Sequence, residues 1–337
     1  MATISALPIG TVLKSNGHQY KIEKIIGHGA FGITYLAETS TKIGGAVGEI
    51  WLKVAVKEFF MHDYNTRKST GHLNEMSGES IVEKYKMNFT KEANNLAKLS
   101  NRNIVKVLDV IYAYNTCYIV MEYISGSNLD EYIKLRGRLK EDEALDITKD
   151  IAKAIGYMHN RKMLHLDLKP KNVMRDEDGG IHIIDFGLSK QYDNNGEPES
   201  STTIGQGTPG YAPVEQGSPG EDSTFPVTID VYALGATLYK MLTGDTPPSA
   251  STVLNTPNTL TNKVRNYNVS PKVIQLIKQA MQPSKDTRIP SMDAFTRAIN
   301  SIFDDKHGTD DGPKEPEKPR PPKPESHMVM ALIRNCY

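Results

Sequence analysis

The chain is poor in cysteine: 337 residues hold only Cys117 and Cys336. Two thiols so far apart do not make a disulfide framework, and they suggest a reducing compartment. Net charge is also absent, with 40 lysines and arginines against 40 aspartates and glutamates. Bulk attraction to nucleic acid or to an anionic membrane therefore has no basis in composition. The first ten residues lack a basic stretch followed by an apolar one, so no secretory signal is expected. No apolar run approaches the roughly 18 residues needed to span a bilayer. The longest, 231–242, contains Gly235 and Lys240 and is predicted to be a buried helix. These absences together favour a cytoplasmic protein without a membrane span. Hydrophobic residues make up 38% of the chain, enough for a substantial core. The length allows one large two-lobed domain or two ordinary ones.

The first part of the chain reads as strands. Polar–apolar alternation over 20–26 runs into glycines, and 33–37 reads as the returning strand. A glycine-containing hairpin over 42–49 leads to a third strand, 51–60. A helical pattern covers 81–99, and two more strands are predicted over 105–112 and 116–123. Beyond Gly126 the periods become helical, over 129–135, 141–159, 231–242, 273–281 and 292–303. A strand-rich part followed by a helix-rich part predicts an α+β fold. No internal repeat is present. Residues 314–324 are rich in proline, lysine and glutamate and cannot bury a core, so disorder or polyproline II is expected there. The single Trp51 and the thirteen methionines read as packing residues.

The stretch that carries most chemistry is His165-Leu166-Asp167-Leu168-Lys169-Pro170-Lys171-Asn172, with Asp185-Phe186-Gly187 following a short apolar segment, 181–184. One carboxylate, Asp167, can orient a hydroxyl. Asn172 and Asp185 offer oxygens to magnesium, a hard cation that prefers them. These are the groups that transfer of a terminal phosphoryl group to a hydroxyl requires. An isolated aspartate could equally be a helix cap or a structural carboxylate, but the company of Lys169, Asn172 and Asp185 argues for catalysis. His165 reads as a packed structural histidine. Gly27, Gly29 and Gly32 fit a loop whose amides approach phosphates. A plain glycine turn reads the same way. A dinucleotide-binding loop would lead into a helix, whereas a strand pattern follows here. Val54-Ala55-Val56-Lys57 ends an apolar strand on a lysine. That lysine could simply reach for water, or grip phosphates with a helical glutamate as partner; Glu92 is the candidate and Glu83 its rival.

In this combination the motifs resemble the eukaryotic-like protein kinase superfamily, across roughly residues 20–303. The wording Gly-Ile-Thr-Tyr-Leu-Ala at 32–37 and Lys-Glu-Phe-Phe at 57–60 is similar to the bacterial serine/threonine branch. The resemblance implies a two-lobed fold: a small antiparallel β-sheet lobe with one regulatory helix (1–121), a hinge (122–126), a larger mainly helical lobe (127–304) and a largely disordered tail (305–337). It implies ATP and Mg2+ as cofactors and serine- or threonine-bearing proteins as substrates. Self-association would then serve autophosphorylation. On this pattern Asp167, Lys169, Lys57, Glu92 and Thr208 are the catalytic set. Gly27, Gly29, Gly32, Ala55, Lys57, Met121, Glu122, Ile124 and Met174 are expected to hold the nucleotide, with Met121 as gatekeeper. Asn172 and Asp185 would hold magnesium. Glu215 and Arg288 match a structural ion pair, and Asp230 matches the residue that anchors the catalytic loop.

The chain also departs from that pattern. Leu166 stands where the family usually has an arginine that pairs with an activation-loop phosphate. The hydroxyl cluster Ser200, Ser201, Thr202 and Thr203 is therefore expected to tune activity only modestly. Pro213-Val214-Glu215 replaces the usual Ala-Pro-Glu, and Thr34 a common valine. The polar stretch 61–80 is longer than the minimal pattern and reads as a passive surface loop ahead of the alternative, a docking or regulatory insert. A pseudokinase, binding nucleotide or a partner without catalysis, is the alternative; its usual hallmark, loss of the lysine or a key aspartate, is missing. A small-molecule kinase would lack the segment 208–215.

Overall fold

The structure is a computed structural model, and it describes residues 6–29, 32–42, 49–62, 64–68, 70–75, 79–185, 190–191, 207–217, 225–256 and 258–307. The chain divides into two compact units. The first takes in the described residues of Met1–Lys86 and Val107–Tyr123; the second takes in those of Met87–Lys106 and Ile124–His307.

The first unit is built on a six-stranded antiparallel sheet. Its strands are β1 (Val12–Ser15), β2 (His18–Gly29), β3 (Gly32–Lys42), β4 (Glu49–Phe59), β7 (Val107–Ala113) and β8 (Thr116–Glu122), in the order β1-β2-β3-β4-β8-β7. Period-two alternation sends Ile33, Tyr35 and Ala37 of β3 and Val54 and Val56 of β4 into one core with Leu13, Tyr20, Ile22, Ile111 and Val120. The β7–β8 turn is made by Tyr114 and Asn115, both with positive φ, 51° and 62°. That backbone matches the twist of the flanking strands. Trp51 departs from the expected packing role: it is 58% exposed near the start of β4.

The stretch 61–80 is not a passive loop. It holds a hairpin of β5 (Asn65–Arg67) and β6 (Leu73–Glu75), and Leu73 joins the core of the sheet. Helix α1 (Glu79–Ala97) follows, and the division between the units falls within it, after Lys86.

The second unit is mainly helical. Past the remainder of α1 it runs through β9 (Gly126–Asn128) and α2 (Leu129–Arg136), joined by a capping box: the Asn128 side chain accepts from the Glu131 N–H, and the Glu131 carboxylate accepts from the Asn128 N–H. Helix α3 (Glu141–His159) packs against α5 (Thr228–Thr243) and α9 (Met292–His307). Every residue of α5 is buried, Asp230 and Lys240 included, and the helix stops at Gly244 in the left-handed region. Helix α8 (Pro271–Ala280) starts with Ser270 as N-cap and Pro271 in its first turn, and packs on α5. Short helices α4 (Val214–Gly217), α6 (Ala250–Asn255) and α7 (Thr259–Arg265) complete the unit, and α9 extends three residues past 304. Two small sheets frame a loop between them: β10 (Met163–Leu164) pairs with β13 (Lys190–Gln191), and β11 (Val173–Asp176) lies between β9 and β12 (Ile181–Ile183). Gly126 is required where β9 meets β11, because a Cβ there would sit 2.1 Å from the Arg175 carbonyl oxygen.

Candidate active site

In the second unit the loop between β10 and β11 carries three of the expected residues, Asp167, Lys169 and Asn172. It ends in a 3₁₀ turn, Pro170–Asn172. Asp167 sits at its centre. One carboxylate oxygen, Oδ1, accepts from the Thr208 hydroxyl at 2.7 Å; the other, Oδ2, accepts from Lys169 Nζ at 2.7 Å. Lys169 Nζ also donates to the Thr208 hydroxyl at 2.8 Å, closing a triangle. The Asn172 amide donates to the Asp167 carbonyl at 2.8 Å and to Oδ2 at 3.1 Å. Sequence positions 167, 169, 172 and 208 thus meet at one carboxylate.

The loop's backbone is held from below. Buried Asp230 on α5 accepts from the N–H groups of His165 and Leu166, both at 2.9 Å, and shares a 2.8 Å hydrogen bond with His159 Nε2. Burial alone would push the Asp230 carboxyl up. The hydrogen bond from His159, the charges of His159 and His165, and the His165 N–H outweigh it, and hold the carboxyl below its ordinary range. His165 is wholly buried, and burial pulls its pKa down despite Asp230, Asp167 and Asp185 nearby. The Asp167 N–H points at its Nδ1, 3.3 Å away. A neutral, packed histidine is what this environment favours.

Leu166 has φ 63°, a left-handed backbone uncommon for a branched residue, and is only 2% exposed. Its side chain packs with Leu164, Phe225 and Ile229. Buried Gln216 on α4 donates to the Leu166 carbonyl at 2.6 Å. Next to it, Glu215 accepts from Arg288 Nη1 at 2.7 Å; Arg288 also donates to the carbonyls of Thr228, Gln282 and Pro283.

The residues expected to hold magnesium, Asn172 and Asp185, flank the β11–β12 hairpin. Val173 is in register with Ile183, and the Ile184 N–H donates to the Asn172 carbonyl at 3.0 Å. The chain segments of Asn172 and half-buried Asp185 therefore lie side by side at one end of that hairpin. With the Asn172 amide nitrogen engaged by Asp167, its side-chain oxygen is the atom left for a cation. An amide oxygen with a carboxylate suits Mg2+, which takes few protein ligands and keeps water or phosphate in the rest of its shell. Among the described residues no group of three or more His, Cys, Asp or Glu converges as a metal cage.

The expected nucleotide residues of the first unit form a separate group. Gly29 pairs with Gly32 at the β2–β3 turn, and Gly27 with Thr34. Thr34 faces Lys57 across β3–β4, and Ala55 faces Met121 across β4–β8. Gly32 is the glycine with a steric reason: a Cβ there would lie 2.5 Å from the Glu58 carbonyl oxygen and 3.9 Å from Lys57 Cε. Glu122 ends β8 in this unit, while Ile124 and Met174, on β11, belong to the second. Glu92 lies on α1, but its side chain is outside the described residues. So are Phe186 and Gly187, the cluster 200–203, Cys336 and the tail from 308. Glu83, the rival to Glu92, is an exposed partner of Lys86 at 3.1 Å.

Sequence reasoning overlooked Gln216 and His159. No spacing sets either apart: Gln216 simply follows Glu215, and His159 reads as the last residue of an amphipathic helix. Among the described residues no helix is long and apolar enough to cross a membrane.

A family model described as a protein kinase domain matches residues 20–299. A probable serine/threonine-protein kinase of Clostridium acetobutylicum is 33% identical over 246 residues, which is 72% of this chain and 32% of the relative. One from Clostridium perfringens is 28% identical over 307 residues, 89% of this chain and 40% of the relative. Serine/threonine-protein kinase PrkC of Bacillus subtilis is 31% identical over 231 residues, 68% of this chain and 31% of the relative. The chain thus spans between 31% and 40% of the length of these curated relatives.

Proposed function

The chain belongs to the protein kinase domain family, and on that premise we propose that it is an ATP-dependent serine/threonine kinase acting on proteins. The observation that carries this reading is the triangle of Asp167, Lys169 and Thr208, with Asn172 closing on the same carboxylate.

Asp167 would receive the substrate hydroxyl at the carboxylate oxygen that Thr208 now occupies, orient it, and take its proton as the hydroxyl oxygen bonds to the γ-phosphorus and the bond from that phosphorus to the bridging oxygen breaks, with ADP as the leaving group. Lys169, already on the other oxygen, would neutralise charge that builds up on the transferred group. Asn172 and Asp185 would hold Mg2+, which when bound offsets the negative charge of the phosphates. Lys57, Glu92 and the glycines 27, 29 and 32 would hold the nucleotide, with Ala55, Met121, Glu122, Ile124 and Met174 around its base. The paucity of cysteine supports a cytoplasmic setting. Self-association would serve autophosphorylation. No feature of the site favours the pseudokinase alternative, since Lys57, Asp167, Asn172 and Asp185 are all present.

The test is transfer of labelled phosphate from MgATP to the protein itself and to a generic basic substrate. Label on serine or threonine in the wild type, lost in both Asp167→Asn and Asp185→Ala, is expected. Wild-type-like labelling in Asp167→Asn would sink the assignment.

A further inference from the structure

A charged cluster lies inside the apolar core of the first unit, one residue beyond Lys57. On β4, Lys57 and Glu58 point to opposite faces, because side chains alternate along a strand. Glu58 is fully buried among the residues of that core, where a carboxylate has no water to solvate it. Both of its oxygens are instead taken by hydrogen bonds. Oε1 accepts from the Tyr118 hydroxyl at 2.7 Å; Oε2 accepts from the Tyr35 hydroxyl at 2.7 Å and from Arg67 Nη2 at 2.7 Å. The Leu7 N–H in turn donates to the Tyr35 hydroxyl at 3.0 Å. Burial beside this carboxylate pushes both phenols far up, so each stays a donor.

Arg67 comes from the β5–β6 hairpin, not from the main sheet. Its guanidinium also donates to the Gly71 carbonyl at 2.7 Å and lies over the Phe60 ring at 5.6 Å. The hairpin is tied down at its other end. The Leu73 N–H donates to the Tyr114 carbonyl at 2.9 Å, in the β7–β8 turn, and the Thr116 hydroxyl donates to the Phe59 carbonyl at 2.6 Å. β5 and β6 thus strap the end of β4 to the neighbouring hairpin.

An ion pair sealed in a dry core is a poor way to gain stability, since apolar residues of the same volume do as well or better. What such a pair does supply is register: it is satisfied in one arrangement only. Here that arrangement fixes Glu58, and with it the residue before. Lys57 is in register with Thr34 and Ile119, and Glu58 with Ile33 and Tyr118, so a slip at Glu58 moves Lys57 against Gly32. In chain order the strap also stands between the strand of Lys57 and the helix of Glu92.

Resting on the kinase reading above, we propose that Arg67 is a positioning residue for Lys57, acting through Glu58 to set how tightly the protein grips the phosphates of ATP. The role belongs to a segment that a minimal version of this lobe would not need.

The test compares wild type with Arg67→Met, Arg67→Lys and the double variant Glu58→Gln with Arg67→Met. The double variant keeps the tyrosine hydrogen bonds and removes the unpaired charge. Melting temperature, MgATP affinity by calorimetry, and the KM values for ATP and for protein substrate are measured for each. Arg67→Met is expected to weaken MgATP binding about tenfold, with KM for the protein substrate nearly unchanged. The lysine variant should recover part of that loss. The double variant should regain the melting temperature but not the affinity for MgATP, and it carries the test if Arg67→Met fails to fold. Affinity that returns together with the melting temperature, or MgATP binding unchanged in Arg67→Met, would overturn the inference. Wild type that binds MgATP yet labels no protein would count against the kinase reading alone. Wild type that binds no MgATP would overturn both.

Discussion

Gln216 hands its side-chain N–H to the carbonyl of Leu166 at 2.6 Å, and both residues are buried. The segment around Glu215 is thereby fastened to the loop that carries Asp167 by a neutral hydrogen bond. Replacing Gln216 with leucine leaves that carbonyl buried and unpaired. A loss of about 1–3 kcal/mol in unfolding free energy is expected, read from the denaturant midpoint, with a fall in turnover. An unchanged midpoint would show that the bond carries no weight.

Leu166 makes a second prediction. Its side chain packs with Leu164, Phe225 and Ile229, and it offers no cation to a phosphate. Changing Ser200, Ser201, Thr202 and Thr203 together to alanine should leave most of the phosphotransfer activity. A drop of about a hundredfold, equivalent to the loss of two charge-assisted hydrogen bonds, would point to a phosphate receptor elsewhere.

Thr208 bridges Asp167 and Lys169 through one hydroxyl. Thr208→Ser keeps that hydroxyl and should keep near-normal kcat. Thr208→Val removes it at constant volume, and kcat is expected to fall roughly tenfold, the scale of one hydrogen bond to a charged group. Equal rates for the two variants would exclude a role for the hydroxyl.

Arg288 is buried and spends its guanidinium on Glu215 and three main-chain carbonyls. Alanine there should cost about 3 kcal/mol of stability, because the partners remain buried without a donor. Lysine should rescue little, since a single ammonium cannot reproduce the planar fork. Chemical denaturation of the three proteins decides.

Acid should loosen the second unit. His165 has its pKa depressed below the ordinary 6.5, so the unfolded chain takes up a proton there before the folded one does. Asp230 is depressed below its ordinary 3.8, and the same sign applies at lower pH. Stability is therefore fully present above about pH 7 and falls as pH drops through 6.5, then more steeply below 4. His165→Asn, which keeps an acceptor for the Asp167 N–H, should flatten the upper part of that slope. Parallel melting-temperature profiles for the two proteins would refute the assignment to His165.

Long elements with a clean period could be read from the sequence. Helix α3 has the bounds its pattern predicts, Glu141–His159, because acidic residues open it and its apolar positions recur on one face. The triangle at Asp167 was legible as chemistry, since only the spacing of a few polar residues was needed. The short strands β9 and β10 were not, as two or three residues carry no period. The β5–β6 hairpin was misread for another reason. Its sequence is polar, yet Asn65 is buried and the Arg67 side chain is largely covered: the Asn65 side chain accepts from the Met61 N–H and Arg67 meets Glu58. Hydropathy assigns such residues to the surface, because it cannot see the partners that satisfy them, Met61 just before the hairpin and Glu58 on β4. Trp51 fails in the opposite sense, an aromatic left in solvent at the edge of a long strand.

Helix α5 has no exposed residue along its length. Its amide protons can meet solvent deuterium only when the second unit opens as a whole, so they should be the last to exchange. Asp230 grows from that helix and grips the N–H groups of His165 and Leu166. The backbone that presents Asp167 is thus bolted to the part of the unit that opens last. Heat or denaturant that merely frays the edges will leave this loop in place, and its local dissolution will coincide with loss of the fold.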